Sequence, residues 1–131
     1  MSTPYVVVVD DDEVIRKNII KRLSRLNCHV RSFESGEAVV EFFAHEGHDP
    51  DLILLDYQMG GMNGVETLRR IRNFTSVPAV IFTAYSGRIN SQEVEKLGSC
   101  EVMLKTVDLH TLDSIVNVAM AIKNLRNQEI R

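Results

Sequence analysis

Cysteine is scarce: Cys28 and Cys100 are the only two in 131 residues. They are too few and too far apart for a disulfide framework or a thiolate metal site, which leaves two reduced structural thiols. No apolar run approaches the roughly 18 residues that a membrane span needs. The first residues lack the basic-then-apolar layout of a secretory signal. A cytoplasmic chain with no membrane attachment is therefore expected. A basic excess is also missing. The formal net charge is −3, whereas nucleic-acid binders usually carry a pronounced positive balance, so direct nucleic-acid binding by this chain is not expected. No linker, repeat or low-complexity segment divides the sequence. With 44% hydrophobic and 25% charged residues, it reads as one domain over 1–131, with its core between about residues 4 and 126. The histidines His29, His45, His48 and His110 show no metal-ligand spacing with an acid or thiol. His45 and His48 read as a solvated pair near a helix end.

What is present is an alternation of short β-branched runs with longer segments of helical period. Strands are expected at Tyr5 to Val9, His29 to Phe33, Asp51 to Leu55, Ala79 to Phe82 and Val102 to Leu104. The first and third are apolar at nearly every position, as central strands covered on both faces should be. Ile15, Ile19, Leu23 and Leu26 mark a first helix, with Arg16, Lys17, Lys21, Arg22 and Arg25 left mostly for solvent. A second helix starts after Ser35 and carries Val39, Val40 and Phe43. A third carries Val65, Leu68 and Ile71. A short fourth carries Val94 and Leu97 and stops at Gly98. A fifth runs from about Asp108 to Leu125 on Leu112, Ile115, Val116, Ala119 and Ile122. Five βα units predict an α/β fold, a five-stranded parallel sheet with helices on both faces. Ligands of such sheets bind outside the carboxyl ends of the strands, where strand order reverses.

Strand one ends in Asp10-Asp11-Asp12-Glu13 and strand three ends in Asp56. Helix capping by Asp10 or Asp11, with Glu13 completing a capping box, accounts for part of the first cluster. It does not account for Asp56. Two carboxylates about 4 Å apart repel by about 4 kcal/mol near a protein surface, so convergent acids call for a cation. Oxygen ligands without cysteine or histidine select a hard one, and Mg²⁺ is the fit because it accepts a few carboxylates and then a phosphate oxygen. A nucleotide phosphate without metal is disfavoured, since strand one lacks a glycine-rich cradle. Thr83 ends strand four, followed by the small Ala84, and Lys105 ends strand five. A metal site, a nucleophilic carboxylate, a hydroxyl and an ammonium are the parts needed to accept a phosphoryl group.

"VVVVDDDEVIR", "LILLDYQMGGMNGVE", "IFTAYSG" and "VMLKT", in this order and at these spacings, resemble the signature of response regulator receiver domains of two-component signalling. The resemblance covers essentially the whole chain and implies a flavodoxin-like sheet in the order 2-1-3-4-5. It implies that Asp56 accepts a phosphoryl group from a phosphohistidine on a sensor histidine kinase or a histidine phosphotransfer protein. It further implies that Mg²⁺ is held by Asp11 directly, by Asp10 mainly through water, by Asp56, and by the backbone carbonyl of Gln58. Thr83 and Lys105 would bind phosphoryl oxygens. Asp12 and Glu13 fall outside this set and read as helix-capping residues. The remaining implied partners are an effector protein or an output domain missing from this chain, and a second copy in a phosphorylation-dependent dimer. The implied role is a switchable binding module that catalyses only its own phosphorylation and dephosphorylation.

Four positions depart from the family pattern. Gly60 stands where proline is usual, and Asn63 replaces an acid before Gly64. Thr106 follows the lysine in place of a proline, so a trans Lys105–Thr106 peptide is expected. Val102 takes the place of the aromatic switch residue, which leaves Tyr85 as a candidate relay or as a screen against water. Two alternatives remain: a receiver that docks partners without being phosphorylated, and a phosphatase of the haloacid dehalogenase type. The latter places its nucleophile on strand one in a D-x-D-x-T arrangement, and residues 10 to 14 contain no threonine.

Overall fold

The structure is a computed structural model that describes residues 3–46, 48–84 and 89–104, and positions 112–114, 116–117, 120–121 and 124. The elements are β1 (Tyr5–Val9), α1 (Glu13–Arg25), β2 (His29–Phe33), α2 (Gly36–His45), β3 (Leu52–Asp56), α3 (Gly64–Ile71), β4 (Ala79–Thr83), α4 (Ser91–Glu95) and β5 (Cys100–Leu104). The strands form one parallel sheet, as the sequence pattern predicts, in the order β2-β1-β3-β4-β5 that the family resemblance implies. The described positions between 112 and 124 are helical; Asp108, Ile115, Ala119, Ile122 and Leu125 lie outside the described residues.

Alternation along each strand sends side chains to opposite faces, and both faces are packed. Val7, Val9, Ile53, Leu55, Ala79 and Ile81 meet Val39 and Phe43 of α2, Leu68 and Ile71 of α3, and Val94 of α4. Val6, Val8, Leu52, Leu54 and Val80 meet Leu23 of α1 together with Leu112 and Val116. This two-sided burial is why β1 and β3 carry unbroken apolar runs. Among the described residues no helix is long and apolar enough to cross a membrane.

Local details refine the sequence reading. β3 is shifted by one residue from the expected run: it starts at Leu52 rather than Asp51 and ends at Asp56, which pairs with Phe82. β4 includes Thr83, which pairs with Leu104, and β5 starts early, at Cys100 opposite Ala79. The cap of α1 is Asp12, which accepts the N–H groups of Val14 at 2.9 Å and Ile15 at 3.1 Å; Asp10 and Asp11 do not cap it. Glu13 completes no capping box and pairs instead with Lys17 at 2.9 Å. Ser35 and Asn63 cap α2 and α3. Leu97 lies just past α4, and Gly98 turns the chain with a φ of +78°.

Two cations expected in solvent are engaged. Arg22 makes a two-pronged bond to Asp113, at 3.0 and 2.5 Å, and so ties α1 to the last helical segment. Arg16 donates to the carbonyl of Asp10 at 2.7 Å. Arg72, which the sequence did not single out, donates to the carbonyls of Thr75, Val77, Leu97 and Ser99, and so clamps the end of α3 to the starts of β4 and β5. His45 ends α2 on the surface within 3.5 Å of Glu41, and His48 is exposed. Cys28 and Cys100 are both free. Burial pushes both thiols up, that of Cys100 to about 11, so neither is a thiolate at neutral pH.

One glycine sets the distance between β3 and α3. A Cβ on Gly64 would lie 2.6 Å from the carbonyl oxygen of Asp56 and 3.0 Å from Cα of Tyr57. Only a bare Cα lets α3 start that close to the strand end.

Two stability changes are expected. Ile53→Ala removes a fully buried side chain and should lower unfolding free energy by about 2–5 kcal/mol in urea denaturation; a loss below 1 kcal/mol would contradict the two-sided core. Gly64→Ala should cost about 1–3 kcal/mol through overpacking against backbone, and a neutral result would mean α3 can back away freely.

Candidate functional site

The site follows from strand register. Val9 pairs with Leu55, so the residues that come next, Asp10 and Asp56, leave adjacent strands side by side. Asp10 is anchored by its N–H to the carbonyl of Phe33 at 3.1 Å. Its carboxylate accepts the Asp12 N–H at 2.9 Å, and Arg16 holds its carbonyl from the other side. Asp11, the next residue, is exposed and reaches the loop after β3, where it accepts the Gly60 N–H at 3.2 Å.

The result is a cluster in which one carboxylate oxygen each from Asp10, Asp11 and Asp56 lies within 4.8 Å of the other two. Among the described residues it is the one group of acids, histidines or thiols arranged closely enough to hold a metal ion. Asp10 and Asp56 are each 3% exposed, and Thr83 is 2% exposed. Burial of like charges is unfavourable unless a counter-charge is bound. An all-oxygen donor set at this spacing, open at Asp11, fits a hard divalent cation with room for water or phosphate oxygens. Gln58 is exposed and lies two residues past Asp56 in the loop that follows β3.

Thr83 closes β4 at the same edge of the sheet, one residue beyond Phe82, the partner of Asp56. Ala84 beside it is exposed and small. Thr83 pairs with Leu104, the residue before Lys105. Lys105, Thr106, Tyr85 and His110 lie outside the described residues. Val102 is half-buried against the core, so a packed aliphatic stands where the family pattern has an aromatic.

The structure adds Glu37, which the sequence reading passed over. From the first turn of α2 its carboxylate accepts the N–H of Met62 at 3.0 Å. That bond, together with one to its own backbone N–H, holds its carboxyl below the usual range. The loop between β3 and α3 is thus held by two acids, Asp11 and Glu37. Glu37 and Met62 are 25 residues apart in sequence, and no local pattern announces such a contact. Gly64, which enters the sequence analysis only as the residue after Asn63, is the contact point behind Asp56.

The family model of the response regulator receiver domain matches residues 6–117. Among curated relatives, the two-component response regulator ARR7 of Arabidopsis thaliana is 30% identical over 134 residues, covering 92% of this chain and 65% of that protein. The regulatory protein AtoC of Escherichia coli is 27% identical over 127 residues, covering 96% of this chain and 27% of that protein. The chain thus spans between about a quarter and two thirds of the curated relatives it matches. Among solved structures, the N-terminal domain of a response regulator/sensory box/GGDEF protein from Carboxydothermus hydrogenoformans superposes with a TM-score of 0.80 at 28% identity, covering 93% of this chain and 98% of that one. A response regulator receiver domain protein from Clostridium thermocellum gives a TM-score of 0.83 at 25% identity, with the same coverage. Sheet order, acid placement and these likenesses agree, and the chain belongs to the response regulator receiver domains.

Proposed function

We propose that this chain is the phosphoacceptor of a two-component pathway, with Asp56 as the residue modified. The observation that carries the reading is the convergence of Asp10, Asp11 and Asp56 at the same sheet edge as the buried hydroxyl of Thr83. A sensor histidine kinase or a histidine phosphotransfer protein is the donor. A carboxylate oxygen of Asp56 forms the new bond to phosphorus while the P–N bond to the donor imidazole breaks. The imidazole leaves with that electron pair and takes up a proton from solvent.

Mg²⁺, held by Asp10, Asp11, Asp56 and the Gln58 carbonyl, supplies neutralisation of the phosphoryl oxygens when bound. Thr83 donates its hydroxyl to one phosphoryl oxygen, and Lys105 contributes an ammonium to another. The bond from the Asp12 N–H keeps the Asp10 carboxylate from turning away from the site. The chain acts stoichiometrically, as a binding module whose state is set by its own phosphorylation and hydrolysis, and it works in the cytoplasm. The phosphorylated state addresses an effector protein, an output domain or a second copy of the chain. The haloacid dehalogenase alternative needs a D-x-D-x-T nucleophile motif after β1, and residues 10–14 contain no threonine.

Incubation with a small-molecule phosphodonor and Mg²⁺ should label the wild-type chain once, at Asp56, as read by intact mass and by hydroxylamine sensitivity. Asp56→Asn should abolish the label. Stoichiometric labelling of Asp56→Asn would overturn the assignment. Thr83→Ala should slow incorporation by about 10-fold or more, the scale of losing one donor to a developing anion.

A further inference from the structure

The loop from Tyr57 to Asn63 begins with the Gln58 carbonyl assigned to the cation and ends at the cap of α3. Its base is fixed: Tyr57 donates to the carbonyl of Phe82 at 2.8 Å, and Gly64 donates to the carbonyl of Tyr57 at 2.8 Å. Its tip has little stiffness of its own, because Gly60 and Gly61 are adjacent and Gly61 takes a φ of +90°. Two carboxylates hold that tip from outside. Asp11 accepts the N–H of Gly60 at 3.2 Å and Glu37 accepts the N–H of Met62 at 3.0 Å.

The two anchors are not equivalent. Asp11 belongs to the cluster that can hold a metal ion, and Glu37 does not. A divalent cation attracts the Asp11 carboxylate far more strongly than a neutral amide does, so the long Gly60 bond is the one placed in competition with the ion. Glu37 is itself well placed: Ser35 caps α2 through the Ala38 N–H at 3.1 Å, which fixes the turn from which Glu37 projects. The Glu37 carboxylate sits so close to the loop that a Cβ on Gly61 would lie 2.9 Å from it.

We propose that Glu37 is a positioning residue for the cation and phosphoryl site: by accepting the Met62 N–H it keeps the Gln58-to-Met62 loop in register when Asp11 turns toward the ion. This rests on the phosphoacceptor reading for its purpose. The anchor itself is measurable without phosphorylation.

The test uses the full chain and the variants Glu37→Ala and Glu37→Gln. Mg²⁺ affinity is measured by titration calorimetry, and exchange of the Met62 amide by NMR with Mg²⁺ present. Loss of one such acceptor corresponds to a factor of about 3 to 10. Glu37→Ala should weaken Mg²⁺ binding by about that factor and speed Met62 exchange, while Glu37→Gln, whose carboxamide oxygen accepts the same bond, stays within about twofold of wild type in both. Mg²⁺ affinity of Glu37→Ala equal to wild type overturns the proposal, as does a Glu37→Gln variant as impaired as Glu37→Ala. An alanine-specific loss of Mg²⁺ affinity in a chain whose wild type takes no label would support the anchor and sink the phosphoacceptor role alone.

Discussion

Repulsion among Asp10, Asp11 and Asp56 is the constraint around which the rest of the molecule is arranged. Like charges about 4 Å apart repel by about 4 kcal/mol near a protein surface, and two of these three are almost fully buried. A fold of this size has roughly 5–15 kcal/mol of net stability, so such a cluster is a large local charge on it. It persists because its position is over-determined from elsewhere. The parallel register of β1 with β3 sets the two strand ends side by side, and the packed faces of those strands leave neither free to slide.

Support for the cluster extends outward in shells of backbone contact. Arg16 and Phe33 hold the main chain at Asp10. Gly64 lets α3 begin against the carbonyl of Asp56. The loop between them is glycine-rich where the family pattern is stiffened by proline, and the stiffness is supplied instead by carboxylates from α2 and from the β1 edge. At the opposite end of the sheet Arg72 gathers four carbonyls, so the strands are fastened away from the site while the site itself holds mutually repelling groups.

How much of this could be read from sequence depends on whether the signal is local. The bounds of β1 and β2 match the expected ones residue for residue, since runs such as Tyr5–Val9 are bordered by acids or turn residues. β5 begins two residues before the run that the sequence marks, because Cys100 and Glu101 carry no strand signature and are recruited by pairing with Ala79 and Val80. Asp10, Asp11 and Asp56 were legible because charge directly after an apolar strand has few structural uses. Asp12 reads as a cap once the metal set is put aside, and its extended backbone, with φ −83° and ψ 113°, makes it the N-cap of α1; a capping role for Glu13 is not borne out, because it pairs with Lys17. Arg22 with Asp113, and Glu37 with Met62, join residues that no periodicity connects.

The central claim is that these three acids share one hard cation. Its most direct measurement is the unfolding free energy of the wild-type chain and of Asp11→Asn in urea, titrated with Mg²⁺ at constant ionic strength. Wild-type stability should climb with Mg²⁺ and, once the site is saturated, gain about 1.4 kcal/mol per tenfold increase, while Asp11→Asn starts at or above the wild-type value in the absence of Mg²⁺ and gains far less. Stability indifferent to Mg²⁺, or an equal gain in both proteins, would contradict the account.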